Sequence, residues 1–144
     1  MKTTADELES KLAVAGRLRE IDEETASRRP APDKWSHKET MGHLIDSAAN
    51  NHQRFIRMQM QDHLDLKGYD GDEWVRIQQY QNRSWRDIVT LWESYNRHLA
   101  HVIRNVDPES LRHTWVAPEG ETVDLEFVIR DYVVHMQHHL DQVL

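Results

Sequence analysis

His43, His135 and His139 are the side chains of this sequence best suited to act together. His135 and His139 stand four apart in the closing run DYVVHMQHHLDQVL. On a helix, residues at that spacing share one face with Cβ atoms roughly 5–6 Å apart, so both imidazoles can address one ion. His43 lies far away, in SHKETMGHLIDSAANNHQRF near the start of another predicted helix. Two histidines from one helix and a third from a neighbour give three nitrogen ligands and leave a fourth position open. That is the pattern of a catalytic zinc-type site, whereas structural sites fill all four positions with protein atoms. All-nitrogen ligation suits zinc, nickel, copper or iron and does not choose among them; zinc is the first expectation, with nickel, iron or manganese as alternatives. Such an ion lowers the pKa of a coordinated water to about 7 and can hold an external thiol as thiolate.

The elements that must bring these residues together are helical. Thr4-x-x-Glu7 has the form of a capping box, and Leu8, Leu12, Ala15, Leu18 and Ile21 follow at helical spacing. The first helix is expected over about 4–27, until RRPAPD breaks it. Ser36-x-x-Glu39 opens the second, to about residue 63, with Met41, Ile45, Ala48, His52 and Phe55 as its apolar row. Ser84-x-x-Asp87 starts the third, and Asp107-Pro108 ends it. The fourth begins near Asp124 and carries Leu125, Val128, Tyr132, His135 and His139 along one row, which points the paired histidines inward. Residues 64–83 form a long connection with a short helix around DEWVRIQQY. Residues 110–123 contain a Pro-Glu-Gly turn between HTWV and ETV, which suggests a small hairpin.

Convergence of the histidines restricts how four such helices are wired. His43 lies ~10 Å from the start of the second helix, and His139 and His135 ~6–12 Å from the end of the fourth. They share a level only if these two helices are antiparallel. An up-down-up-down bundle makes them parallel; an up-down-down-up bundle with a long crossover between helices two and three makes them meet. The expected fold is therefore all-α, a four-helix bundle of the second kind, forming a single domain over 1–144.

Composition narrows the function classes. At 144 residues the chain has the size of one ordinary domain. A net charge of −7 with no basic stripe argues against nucleic acid as a partner. No apolar run approaches the ~20 residues that span a bilayer, so no membrane partner is expected. MKTTADELESKL lacks an apolar leader core, so a cytoplasmic location is expected. With no cysteine, any thiol chemistry needs an exogenous low-molecular-weight thiol. No Glu-x-x-His pair, HExxH, Walker A, GxGxxG or Gly-x-Ser-x-Gly motif is present.

KWSHKETMGHLIDSAANNHQRF and DYVVHMQHHLDQVL, some ninety residues apart, resemble the DinB/YfiT-like superfamily. The resemblance covers nearly the whole chain and implies an up-down-down-up bundle, often dimeric, with a divalent metal on three histidines. Its helix-two histidine corresponds to His43, and its terminal pair to His135 and His139. It also implies a metal-dependent enzyme acting on a small molecule, as thiol S-transferase or hydrolase, and a homodimer. The rival reading is a non-catalytic metal-stabilised or ligand-binding bundle.

Several polar residues around the trio bear on the site. His43 falls opposite the apolar row of its helix, beside Glu39, Asp46, Ser47 and Asn50, so its face is expected to line a water-accessible cleft. Glu39, Asp46, Asn50 and Gln142 are candidates to orient ligands. His138 is turned away from His139 and suits the surface or an outer-shell role, and His52 a satisfied core position. His37, His63, His98, His101 and His113 are expected to be solvent-exposed.

Overall fold

The computed structural model describes residues 1–144. Its helices are α1 (Lys2–Lys11), α2 (Ala15–Glu20), α3 (Glu23–Ser27), α4 (His37–Met60), α5 (Gly71–Gln78), α6 (Trp85–Arg104) and α7 (Leu125–Val143). Three short strands, β1 (His63–Leu64), β2 (Thr114–Val116) and β3 (Thr122–Asp124), complete it.

Cross-helix contacts establish the wiring. Arg104 at the end of α6 binds Asp6 in α1 at 2.9 Å, while the indole N–H of Trp85 at its start donates to the Leu18 carbonyl of α2. The first helical arm and α6 are therefore antiparallel. His52 meets Tyr95, and Gln59 accepts from the backbone N–H of Asp107, so α4 and α6 run parallel. Phe55 meets Tyr132 edge to face, as His43 does His139, which makes α4 and α7 antiparallel. This is the up-down-down-up bundle, with residues 61–84 as the crossover. One cluster of 33 buried apolar residues runs through it, centred on Trp92, Phe55, Met41 and Ile88. No helix is long and apolar enough to cross a membrane.

The first arm departs from expectation. Instead of one helix over 4–27, a 3₁₀ turn interrupts it at Leu12–Val14 and the backbone leaves the helix at Ile21 (ψ 128°). Asp22 causes the second break: its carboxylate accepts from the N–H of Thr25 and so caps a new helix. The Thr4-x-x-Glu7 box does not form either. Helix α1 already starts at Lys2, and Thr4 is buried in the core. The box at Ser36 is complete, with Glu39 N–H donating to Ser36 Oγ and Ser36 N–H to Glu39 Oε1.

The expected hairpin is present as β2–β3, closed by a turn in which Gly120 adopts φ 90°. A third strand was not foreseen. β1 pairs in parallel with β2, His63 opposite Thr114 and Leu64 opposite Trp115. That pairing joins segments about fifty residues apart, which no local pattern encodes. It fastens the start of the crossover to the hairpin and so determines where the crossover lies.

Candidate metal centre

Local chemistry places His43 before any long-range contact does. The capping box starts α4, and Glu39, its acidic member, also receives a bidentate pair from Arg29 at 2.8 and 2.9 Å. The proline-containing loop is thereby tied to the first turn of α4. Its last aromatic, Trp35, lies against the His43 imidazole with ring centroids 5.0 Å apart. Beside His43, Gly42 lets the chain come close to Tyr80. A Cβ at position 42 would fall 2.2 Å from the Tyr80 ring, so only glycine fits there.

On α7, Asp124 caps the helix by accepting from Phe127 N–H. Leu125, Val128, Ile129, Tyr132, Val133, Met136, Leu140 and Val143 form its buried stripe. His135 and His139 flank that stripe and are half-buried. They border the core and do not extend its apolar row.

The three imidazoles converge. One ligand-type nitrogen from each lies within 4.8 Å of the others, and no other group of three histidines or carboxylates comes together in this way. His139 Nε2 and His135 Nε2 stand 3.2 Å apart. Two nitrogens on a tetrahedral zinc, each at 2.0–2.1 Å, would be about 3.3 Å apart. The ring centroids of His43 lie 5.3 Å from His135 and 4.7 Å from His139. His43 Nδ1 is buried without any hydrogen-bond partner. An orphaned acceptor or donor of this kind costs free energy unless a ligand or water satisfies it.

Electrostatics keep the trio neutral. Burial, reinforced by the neighbouring imidazoles, pushes His43 and His135 down to about 4. Burial also lowers His139, opposed by its bond to Gln142. Neutral imidazole is the form that binds metal. His139 Nδ1 lies 3.1 Å from Gln142 Oε1, an acceptor, so Nδ1 carries the proton and Nε2 presents a lone pair to the cluster.

Of the polar residues expected to orient ligands, Gln142 alone touches the trio. Glu39 serves the cap, Asn50 donates to the Asp46 carbonyl, and Asp46 accepts from Tyr80 OH (2.6 Å) and Gln78 Nε2 (2.7 Å). The polar face of α4 is thus not an open cleft. Glu39, Asp46 and Ser47 are buried because the crossover, through α5 and Tyr80, folds over them. His138 is exposed, 3.4 Å from Gln142 Nε2 and outside the cluster. His52 is half-buried and satisfied by Tyr95 OH at 2.9 Å. His63, His98 and His101 are exposed, whereas His37 and His113 are partly enclosed; His113 bonds the Met58 carbonyl and so pins the hairpin to α4.

Sequence reasoning missed two neighbours of the trio from the crossover and the loop before α4. A Cβ on Gly71 would meet the His43 ring at 3.3 Å, so the start of α5 covers it directly. Trp35 gave a signal in its closeness to the capping box, but Gly71 gave none. One cavity borders the centre and a second lies farther along the bundle. The first, of about 540 Å³, is lined by Trp35, His37, Asp72 and Gln142 at the end of the bundle. The other, of about 590 Å³, begins at Asn51 on α4 and Asp131 on α7.

The family model for the DinB superfamily matches residues 12–143. The chain belongs to the DinB superfamily. Among curated proteins it is similar to a "Putative metal-dependent hydrolase" of Halalkalibacterium halodurans, 24% identical over 123 residues, or 85% of this chain and 71% of the relative. Similar proteins, likewise described as metal-dependent hydrolases of the "Putative" kind, occur in Oceanobacillus iheyensis and Bacillus mycoides. They are 25% and 22% identical, over 76% and 93% of this chain and 63% and 76% of theirs. YfiT from Bacillus subtilis, described as a probable metal-dependent hydrolase with an unusual four-helix bundle topology, superposes with a TM-score of 0.79. That likeness covers 96% of this DinB-like chain and 78% of YfiT at 19% identity, and it establishes the shared fold.

Proposed function

We propose that this protein is a metal-dependent hydrolase that holds one divalent ion on His43, His135 and His139. The single observation that carries the reading is the meeting of three neutral, half-buried imidazoles around one point, with His43 Nδ1 left unpartnered. The donor set fits such an ion: three nitrogens, no thiolate, and two Nε2 atoms already at the spacing of a tetrahedral site. Zinc suits it best, with nickel, iron or manganese as alternatives. When bound, the ion would act as a Lewis acid and activate water at an open position.

The residues of this chain have their own tasks. Gln142 holds the His139 tautomer with its lone pair inward. Trp35 and Gly71 close over His43, limit water there and keep its ring in place. Burial keeps His43 and His135 unprotonated across the physiological range. The adjoining cavity, about 540 Å³, has the size of a site for a small-molecule substrate.

The deciding experiment measures metal in untagged protein, then hydrolysis of ester and amide panels with and without a chelator. One ion per chain, with activity that disappears on chelation and returns with zinc, is the expected result. A stoichiometric ion without hydrolysis, but with turnover of thiol conjugates once a low-molecular-weight thiol is added, would make the protein a thiol S-transferase on the same centre. An empty site with unchanged stability in His43→Ala would leave a non-catalytic bundle.

A further inference from the structure

Helix α4 continues the face of His43 with Ser47, Asn51 and Arg54, at helical spacings of four, four and three. Arg54 is 9% exposed. Its Nη1 donates to Asn51 Oδ1 at 3.2 Å, its guanidinium carbon lies 4.1 Å from the centre of the Trp115 ring, and its Nε has no partner. Other basic side chains near the centre are neutralised, Lys38 by Glu23 and Arg29 by Glu39. Arg54 has no carboxylate in salt-bridge contact, although Glu119 is near enough to act on its charge. An arginine carries five N–H donors in a planar fork that matches a carboxylate, and the protein engages one of them. A buried charge so poorly matched is costly unless something else completes it.

Arg54 lines the cavity of about 590 Å³, together with Asn51, Tyr69, Trp115, Phe127 and Asp131. Asp131 stands one helical turn before His135 on α7, so one wall of this cavity lies a turn away from the histidines. We propose that Arg54 receives a carboxylate on the substrate in this cavity, with the metal centre beyond its Asp131 side. The proposal rests on the hydrolase reading and specifies its substrate class: monocarboxylates with an apolar body. Trp115, Phe127 and Val128 supply the apolar wall. Glu119, Glu121 and Asp131 also line the cavity and penalise a dianion such as a phosphate monoester more than a monocarboxylate, because the repulsion scales with the charge of the ligand. Eleven residues of helix separate His43 from Arg54 by ~16 Å, and the arginine side chain leans back toward the helix N-terminus. The bond to be broken would then lie on the order of 10–15 Å from the carboxylate.

Titration with hexanoate, hexanamide and hexyl phosphate tests this, followed by ¹⁵N NMR at the Trp115 indole N–H, which lies beside Arg54. Hexanoate should shift that resonance saturably, with hexanamide at least tenfold weaker and hexyl phosphate weaker than hexanoate. Arg54→Gln should weaken hexanoate at least tenfold. Arg54→Lys, which keeps the charge but loses the fork, should weaken it several-fold and serves if the glutamine variant does not fold. Chelator-treated, metal-free protein should bind hexanoate as the metal-loaded protein does, so a failure of the metal reading is separable from a failure here. The proposal is overturned by no saturable shift with hexanoate, by hexanamide or hexyl phosphate binding at least as tightly, or by unchanged hexanoate affinity in the folded Arg54 variants.

Discussion

His43, His135 and His139 crowd their rings to centroid separations of 4.6–5.3 Å, while His52, His98 and His101 on α4 and α6 stand at 5.4 and 6.2 Å. By ring distance the two groups differ little. By chemistry they differ a great deal. In the second group His52 spends Nδ1 on Tyr95 OH, and His98 and His101 face solvent. In the first, Gln142 turns a lone pair of His139 inward, Trp35 and Gly71 enclose His43, and one nitrogen is left without a partner. A histidine cluster becomes a candidate ion site when its lone pairs converge and its protein partners leave them free. Proximity alone does not achieve this.

The sharpest way to break that contrast is substitution with metal analysis. His43→Ala and His135→Ala should reduce bound zinc from about one per chain to near zero, a loss of several kcal/mol in a three-ligand site. His98→Ala and His101→Ala should leave it unchanged; loss of the ion from either would collapse the distinction. Next in size is the thermal response. Zinc at ~100 times its dissociation constant should stabilise the parent by about 2.7 kcal/mol and raise Tm by several degrees. His98→Ala should show the same increment, and His43→Ala none.

Gln142→Ala should weaken zinc about 10–100-fold in competition with a chromophoric chelator, since it removes the group that fixes a ligand tautomer. Gly42→Ala should cost about 1–3 kcal/mol in denaturant unfolding, because the new methyl drives Tyr80 from its place over α4.

For the metal-free protein the sign with pH follows from the depressed values of His43 and His135. Both bind protons more readily unfolded than folded. Their contribution is intact above pH ~6.5 and is lost progressively as pH falls toward about 4. Unfolding midpoints between pH 7 and 4 should therefore decline less steeply in His43→Gln and His135→Gln. The smallest effect belongs to the second cluster: Tyr95→Phe removes the bond to His52 and should cost about 0.5–1.5 kcal/mol with no change in metal content.

Much of this was legible in the residues themselves. The spacing of His135 and His139, the capping box at Ser36 and the caps at Ser84 and Asp124 are local signals, and they positioned α4, α6 and α7 to within a few residues. The requirement that His43 reach His139 implied antiparallel α4 and α7, and hence the crossover. Where local signals competed, the reading failed. Asp22 outweighed the apolar row of the first arm by capping a new helix. Thr4 joined the core instead of starting α1.

Helical periodicity and capping are fixed by residues within a turn or two of one another, so the chain alone determined most of its helices and turns and singled out the three histidines that the fold brings together. Enclosure depends on segments that meet only in three dimensions. Gly71 covers His43, Tyr80 closes over Gly42, β1 pairs with β2, and Trp115 lies under Arg54. Only the tertiary structure decided that the polar face of α4 is buried, that one imidazole nitrogen is orphaned, and that the Arg54 guanidinium is buried over Trp115 with its Nε unpartnered. Desolvation, which gives each of these its energetic weight, arises from the atoms that surround a group and not from its neighbours in sequence.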